Sequence, residues 1–105
     1  MNIFENYLKE IENLILKNKS YLSLKNIDNF KNVNLEIPPA HFNFDLSCNI
    51  AMVLGKSNKI NPKDLAQKFK KLFIDNINYF AEIEIAGPGF INIKLSSFAL
   101  IKNIK

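Results

Sequence analysis

Glu82-Ile83-Glu84-Ile85-Ala86-Gly87-Pro88-Gly89-Phe90-Ile91-Asn92-Ile93-Lys94-Leu95 decides the fold. Ile83 and Ile85 alternate with Glu82 and Glu84, Gly87-Pro88-Gly89 forces a turn, and Phe90 to Leu95 alternates again. Successive strand side chains point to opposite faces, so the spacing predicts a β-hairpin with a Gly-Pro-Gly connection. On its second strand Ile91, Ile93 and Leu95 share one face, and Phe90, Asn92 and Lys94 share the other. Gly87 and Gly89 supply backbone angles that other residues avoid. The turn is not a phosphate loop, because neither the dinucleotide fingerprint nor the P-loop spacing is present.

Upstream of the hairpin, Asn61-Pro62 is a helix start, an Asn cap followed by Pro at the first helical position. Asp64 suits the first turn, and Leu65, Ala66, Phe69, Leu72 and Phe73 form the stripe to be buried. Before it, Ser47 is read as the cap of a helix carrying Ile50, Ala51, Val53 and Leu54 and closed by Gly55. Val33, Leu35 and Ile37 alternate with Asn34 and Glu36, which predicts a strand ended by Pro38-Pro39; Phe42, Phe44 and Leu46 predict a short second strand. Phe4, Tyr7, Leu8, Ile11, Leu14 and Ile15 predict a first helix from about Asn2 to Asn18. Residues 19–31 hold Leu22, Leu24, Ile27 and Phe30 without a clean period, and no element is predicted there. Residues 96–105 place Phe98, Ile101 and Ile104 on one side of a short helix.

Strands do not alternate strictly with helices in this order, which disfavours a parallel doubly wound sheet. The expected fold class is α+β: one domain over residues 1–105, a two-layer sandwich of a small antiparallel sheet, about four strands, with helices on one face. The 105 residues suffice for one core, and 48% hydrophobic against 23% charged residues is an ordinary globular balance. No apolar run reaches the ~18 residues of a membrane span. The opening residues, broken early by Glu5, Glu10 and Glu12, are neither a signal peptide nor an Arg-rich transit peptide. A lone Cys48 fits a reducing, cytoplasmic setting with the thiol packed away.

The net charge is +4, and every basic residue is Lys. Lys56, Lys59, Lys63, Lys68, Lys70 and Lys71 crowd one stretch against Asp64 alone. Two readings stand, an electrostatic footprint for a polyanion and a solvated helix face. Two readings also stand for the hairpin. An exposed Phe90 with Asn92 and Lys94 is a kit for a splayed-out base, with a ring to stack, an amide for the base edge and an ammonium for a phosphate. Alternatively, Phe90 folds over the turn and covers the edge of the core.

No catalytic residue is assigned. His41, Asp45 and Cys48 are a poor zinc set without a fourth ligand, so no metal is expected. Ser47 and Cys48 lack a positioned base.

Three segments give a family resemblance. Glu84-Ile85-Ala86-Gly87-Pro88-Gly89-Phe90-Ile91-Asn92-Ile93 closely resembles a signature of the N-terminal additional domain of arginyl-tRNA synthetase. Asp45-Leu46-Ser47-Cys48-Asn49-Ile50-Ala51-Met52 and Asn61-Pro62-Lys63-Asp64-Leu65-Ala66 are similar to two further family segments, in the same order. One departure is Phe44, where the family usually has Gly before the Asp. The resemblance implies a two-layer domain that contacts the D-loop at the outer corner of arginine tRNA. A separate catalytic domain, the implied partner, activates arginine with ATP. It implies that Phe90 and Asn92 meet a D-loop base; Lys94, Gly87 and Gly89 beside them are further expected tRNA contacts, and the charge pattern adds Lys56, Lys59 and Lys63 as electrostatic ones. No His-x-Gly-His-like or Lys-Met-Ser-Lys-like segment occurs. The expectation is an isolated, monomeric domain with no membrane contact and no cofactor of its own.

The competing expectation is a docking module that touches no RNA, marked by an exposed apolar patch at Tyr79 and Phe80 or on the final helix. The RNA-reading hypothesis predicts a basic sheet face bearing Phe90. A stand-alone enzyme would need a pocket around His41 and Cys48.

Overall fold

The computed structural model describes residues 3–39 and 43–96. The expectations for His41, Phe42 and the helix through Phe98, Ile101 and Ile104 fall outside these residues. In chain order the elements are α1 (Ile3–Lys17), α2 (Lys19–Leu22), a 3-10 turn (Asp28–Asn32), β1 (Leu35–Glu36), β2 (Leu46–Cys48), α3 (Ile50–Asn58), α4 (Pro62–Asn76), β3 (Phe80–Ala86) and β4 (Phe90–Leu95).

The two long helices form where periodicity predicts them. In α1, Tyr7, Ile11 and Ile15 are buried, with Leu8 and Leu14 packed partly against the same core. In α4 the stripe Leu65, Ala66, Phe69, Leu72 and Phe73 is wholly buried. Its start is capped as expected: Asn61 Oδ1 accepts from the Lys63 amide at 2.9 Å and the Asp64 amide at 3.2 Å. Phe69 stacks on Phe73 at 5.5 Å between ring centroids, and Phe73 meets Phe80 edge-on at 6.1 Å, which joins α4 to the start of β3.

The sheet is antiparallel throughout, in the order β1-β2-β4-β3. The hairpin strand β4 is central, and β2 docks on its free edge. The segment β2-α3-α4-β3 therefore crosses over β4, and its helices lie on one face. Register then builds whole rungs. On the helix-covered face, Leu35, Cys48, Ile91 and Ile85 line up across four strands, with Leu46, Ile93 and Ile83 beside them. On the outer face the adjacent rung is Glu36, Ser47, Asn92 and Glu84.

Four local expectations are corrected. Of the predicted strand 33–37 only Leu35–Glu36 pairs, and Ile37 is 74% exposed while Pro38 is buried. Two prolines bring no amide hydrogen to the ladder, so the chain leaves it there. The second strand lies at Leu46–Cys48, one step later than predicted, and puts Ser47 inside the strand. Asn49, not Ser47, precedes α3, and it makes no side-chain cap bond. Its amide instead bridges to the segment before β1, accepting from Asn34 N at 2.8 Å and donating to Asn32 O at 3.3 Å. Gly55 does not close α3, which continues to Asn58 and ends on Lys59 in the left-handed conformation, φ 58°. The left-handed residue near Phe44 is its neighbour Asn43, φ 58°, a residue type that tolerates this region.

The unassigned stretch is held by amides. Asn58 Oδ1 accepts from Lys25 N at 2.8 Å and Asn26 N at 3.2 Å, and its Nδ2 donates to Asn26 O at 3.0 Å. Asn29 Nδ2 donates to Val53 O at 2.9 Å. Leu22, Leu24 and Val33 drop into the core between these ties.

Candidate nucleic-acid interface

Phe90, Asn92 and Lys94 share the outer face of β4, as alternation requires. Phe90 is 39% exposed, and its ring Cδ2 would lie 3.7 Å from a Cβ placed on Gly87, so the ring lies against the turn with part of its surface open. It stands directly after the turn, opposite the small Ala86. Asn92 is only 8% exposed, flanked by Ser47 on one side and Glu84 on the other. Its amide makes no hydrogen bond to a described residue, and because no buried side-chain nitrogen or oxygen among them is left unpartnered, its polar atoms reach solvent and are open to a ligand. Lys94 is half-buried and stands opposite Glu82 in the register.

The turn that presents Phe90 is rigid. Gly89 N donates to Ala86 O at 3.2 Å, closing it. Gly89 adopts φ +145°, and a Cβ there would lie 3.0 Å from the Cβ of Pro62. Gly55 approaches from the other side: a Cβ on it would lie 2.8 Å from Ile60 O and 3.5 Å from the Pro62 Cα. The Gly-Pro-Gly turn and the Asn-Pro helix start, far apart in sequence, thus meet at Pro62. Lys59, which ends α3, and Lys63, next to Pro62, are exposed at this corner, and Lys56 is exposed one turn earlier on α3.

The rest of the Lys stretch lies further along α4. Lys68 donates to Tyr21 O at 3.3 Å and sits 5.7 Å from the Tyr21 ring centroid. Lys71 pairs with Asp75 at 3.6 Å, an exposed i,i+4 contact of small energetic weight.

The expectation of a basic sheet face is overturned. Three glutamates, Glu36, Glu82 and Glu84, share the outer face with Lys94. Glu36 and Ser47 were not singled out from sequence as neighbours of Asn92, since only strand pairing brings β1 and β2 alongside β4. The positive charge collects at the turn end instead.

Other candidates resolve structurally. Asp45 Oδ2 accepts from Leu95 N at 2.7 Å and so fastens the end of β4. Cys48 is fully buried, and desolvation pushes its thiol up to about 12 despite amide contacts from Ile50 and Asn49. A protonated, enclosed thiol is no nucleophile. The patch proposed for docking at Tyr79 and Phe80 is not exposed: Phe80 is buried, and Tyr79 packs on Tyr7 at 5.6 Å and donates to Glu10. Burial, then the Glu10 carboxylate, raise the Tyr79 hydroxyl above its usual range. No group of three or more His, Cys, Asp or Glu among the described residues is placed to hold a metal, and no helix among them is long and apolar enough to cross a membrane.

The chain resembles known proteins along its whole length. The family described as "Arginyl tRNA synthetase N terminal domain" matches residues 4–95. The arginine–tRNA ligase of Pelagibacter ubique is 42% identical over 97 residues, covering 92% of this chain and 17% of the ligase. That of Rickettsia felis is 41% identical over 105 residues, covering 100% of this chain and 17% of the ligase. That of Rickettsia akari is 42% identical over 97 residues, with 92% and 16% covered. The chain thus spans about 17% of the length of the curated relatives it matches.

Proposed function

This chain belongs to the family of arginyl-tRNA synthetase N-terminal domains, and from that premise we propose that it is a tRNA-reading module. In this reading it contacts the D-loop at the outer corner of arginine tRNA and helps position that tRNA for a catalytic domain, its partner, in which ATP and arginine are used. It performs no chemistry and needs no cofactor or metal itself.

One observation carries the reading. A partly exposed ring at Phe90 and a solvent-reaching amide at Asn92 that bonds no described residue share one face beside a tightly packed turn. A base stacked on Phe90 lowers the binding free energy by ~1–3 kcal/mol. Its edge hydrogen-bonds the Asn92 amide, which gives the contact direction as well as strength. Gly87 and Gly89 shape the turn that sets the position of Phe90. Lys56, Lys59 and Lys63 draw the phosphates to the turn end, and Lys94, next to Glu82, adds less than its charge suggests.

An NMR titration of the labelled chain with unmodified arginine tRNA tests this. Shifts are expected on residues 87–94 and on Lys56, Lys59 and Lys63, lost in Phe90→Ala. Affinity is expected to fall steeply between about 50 and 200 mM salt as counterions are released. Absence of shifts at millimolar tRNA, with shifts appearing only on addition of the catalytic domain, would favour a docking module without direct RNA contact.

A further inference from the structure

The outer face has the wrong sign for a polyanion. Glu36 and Glu84 end the rung whose centre is Ser47 and Asn92, and Glu82 stands opposite the one cation, Lys94. All three carboxylates are exposed. In the middle of the rung is Asn92, a largely enclosed residue whose amide makes no hydrogen bond to a described residue and reaches solvent, suited to a neutral hydrogen-bonding ligand. The exposed cations Lys59 and Lys63 stand off the sheet, at the Pro62 corner. Charge and hydrogen-bonding capacity are thus divided between two adjoining places. We propose that Glu36 and Glu84 are specificity-determining residues that exclude phosphate from the Asn92 position, so that RNA enters it base first with its backbone held at the turn end. This rests on the base-reading role proposed above for Phe90 and Asn92.

The physical basis is Coulomb repulsion. A phosphate laid across the rung lies within a Debye length of two carboxylates, and the penalty falls only on RNA that binds by its backbone. An RNA offering a splayed base at the correct place keeps its phosphates away and escapes most of it. The acids therefore cost nonspecific RNA more than the cognate ligand, which is discrimination by repulsion.

The test is a Glu36→Gln/Glu84→Gln double variant, which keeps shape and removes charge at two exposed positions. Affinities for arginine tRNA, a different tRNA and poly-U are measured by fluorescence anisotropy at about 50 mM and about 300 mM salt, with Phe90→Ala in parallel. At low salt the variant is expected to bind the noncognate RNAs roughly threefold more tightly and arginine tRNA less than twofold so, with the difference vanishing at high salt. Equal tightening for all RNAs, no change, or weaker binding of arginine tRNA each overturns the filter. If Phe90→Ala weakens arginine tRNA binding while the double variant leaves the selectivity ratio unchanged, only the filter falls. If Phe90→Ala has no effect on arginine tRNA, the base-reading role falls and the filter with it.

Discussion

The two faces of the sheet are made from alternate residues of the same strands, yet they answer to different demands. The rung Leu35, Cys48, Ile91 and Ile85 is apolar and sealed by helices. The neighbouring rung Glu36, Ser47, Asn92 and Glu84 is polar, and its central amide bonds no described residue. A one-residue slip of any strand would exchange them, so the register that makes the core also makes the site. On the proposed tRNA-reading role, position parity along β4 separates stability from recognition.

The largest test of that separation is Ile93→Ala. Ile93 is fully buried, and the cavity is expected to cost about 2–5 kcal/mol in urea unfolding, without altering which residues respond to tRNA while the chain stays folded. Next is Gly89→Ala, which joins the two roles. At φ +145°, with Pro62 in the way, it is expected to cost about 1–3 kcal/mol of stability and to displace the Phe90 amide resonance. Phe90→Ala isolates the outer face. It is expected to weaken arginine tRNA binding roughly tenfold while moving the unfolding free energy by under about 0.5 kcal/mol. If Phe90→Ala instead unfolded the chain, the division by parity would be wrong.

The smallest effect at neutral pH belongs to Cys48. Its folded thiol titrates at about 12, above the ordinary value of 9.0, so the unfolded chain ionises first. The stability it contributes is full below pH 9 and drains away as pH rises towards about 12. A Cys48→Ala variant is expected to lose that part of the pH dependence, read by unfolding at pH 8 and pH 10.5.

How far sequence reading reaches also differs by region. The hairpin, α1 and α4 were legible because each has one hydrophobic period, and the hairpin and α4 also carry a clear punctuation, Gly-Pro-Gly and Asn-Pro. Residues 19–31 were not, because their order comes from long-range ties rather than from a local pattern. Asn58 and Asn29 hold this stretch to α3, and the contacts span 24 to 33 residues. An Asn that staples a loop looks in sequence like any surface Asn. The same limit hid the sign of the outer face. Phe90 and Asn92 could be placed on one face by counting, but their neighbours Glu36 and Ser47 arrive only through pairing between strands.

The corner at Pro62 has a consequence for how such a chain can change over time. Gly55, Ile60, Pro62 and Gly89 come from four successive pieces of the fold and occupy one small volume in which two hydrogens stand where side chains would collide. A drifting lineage samples these positions one at a time only with difficulty, because a larger residue at Gly89 meets Pro62 and one at Gly55 meets the Ile60 carbonyl. They are expected to be inherited as a set, and a descendant that abandons one must rebuild the others in the same step.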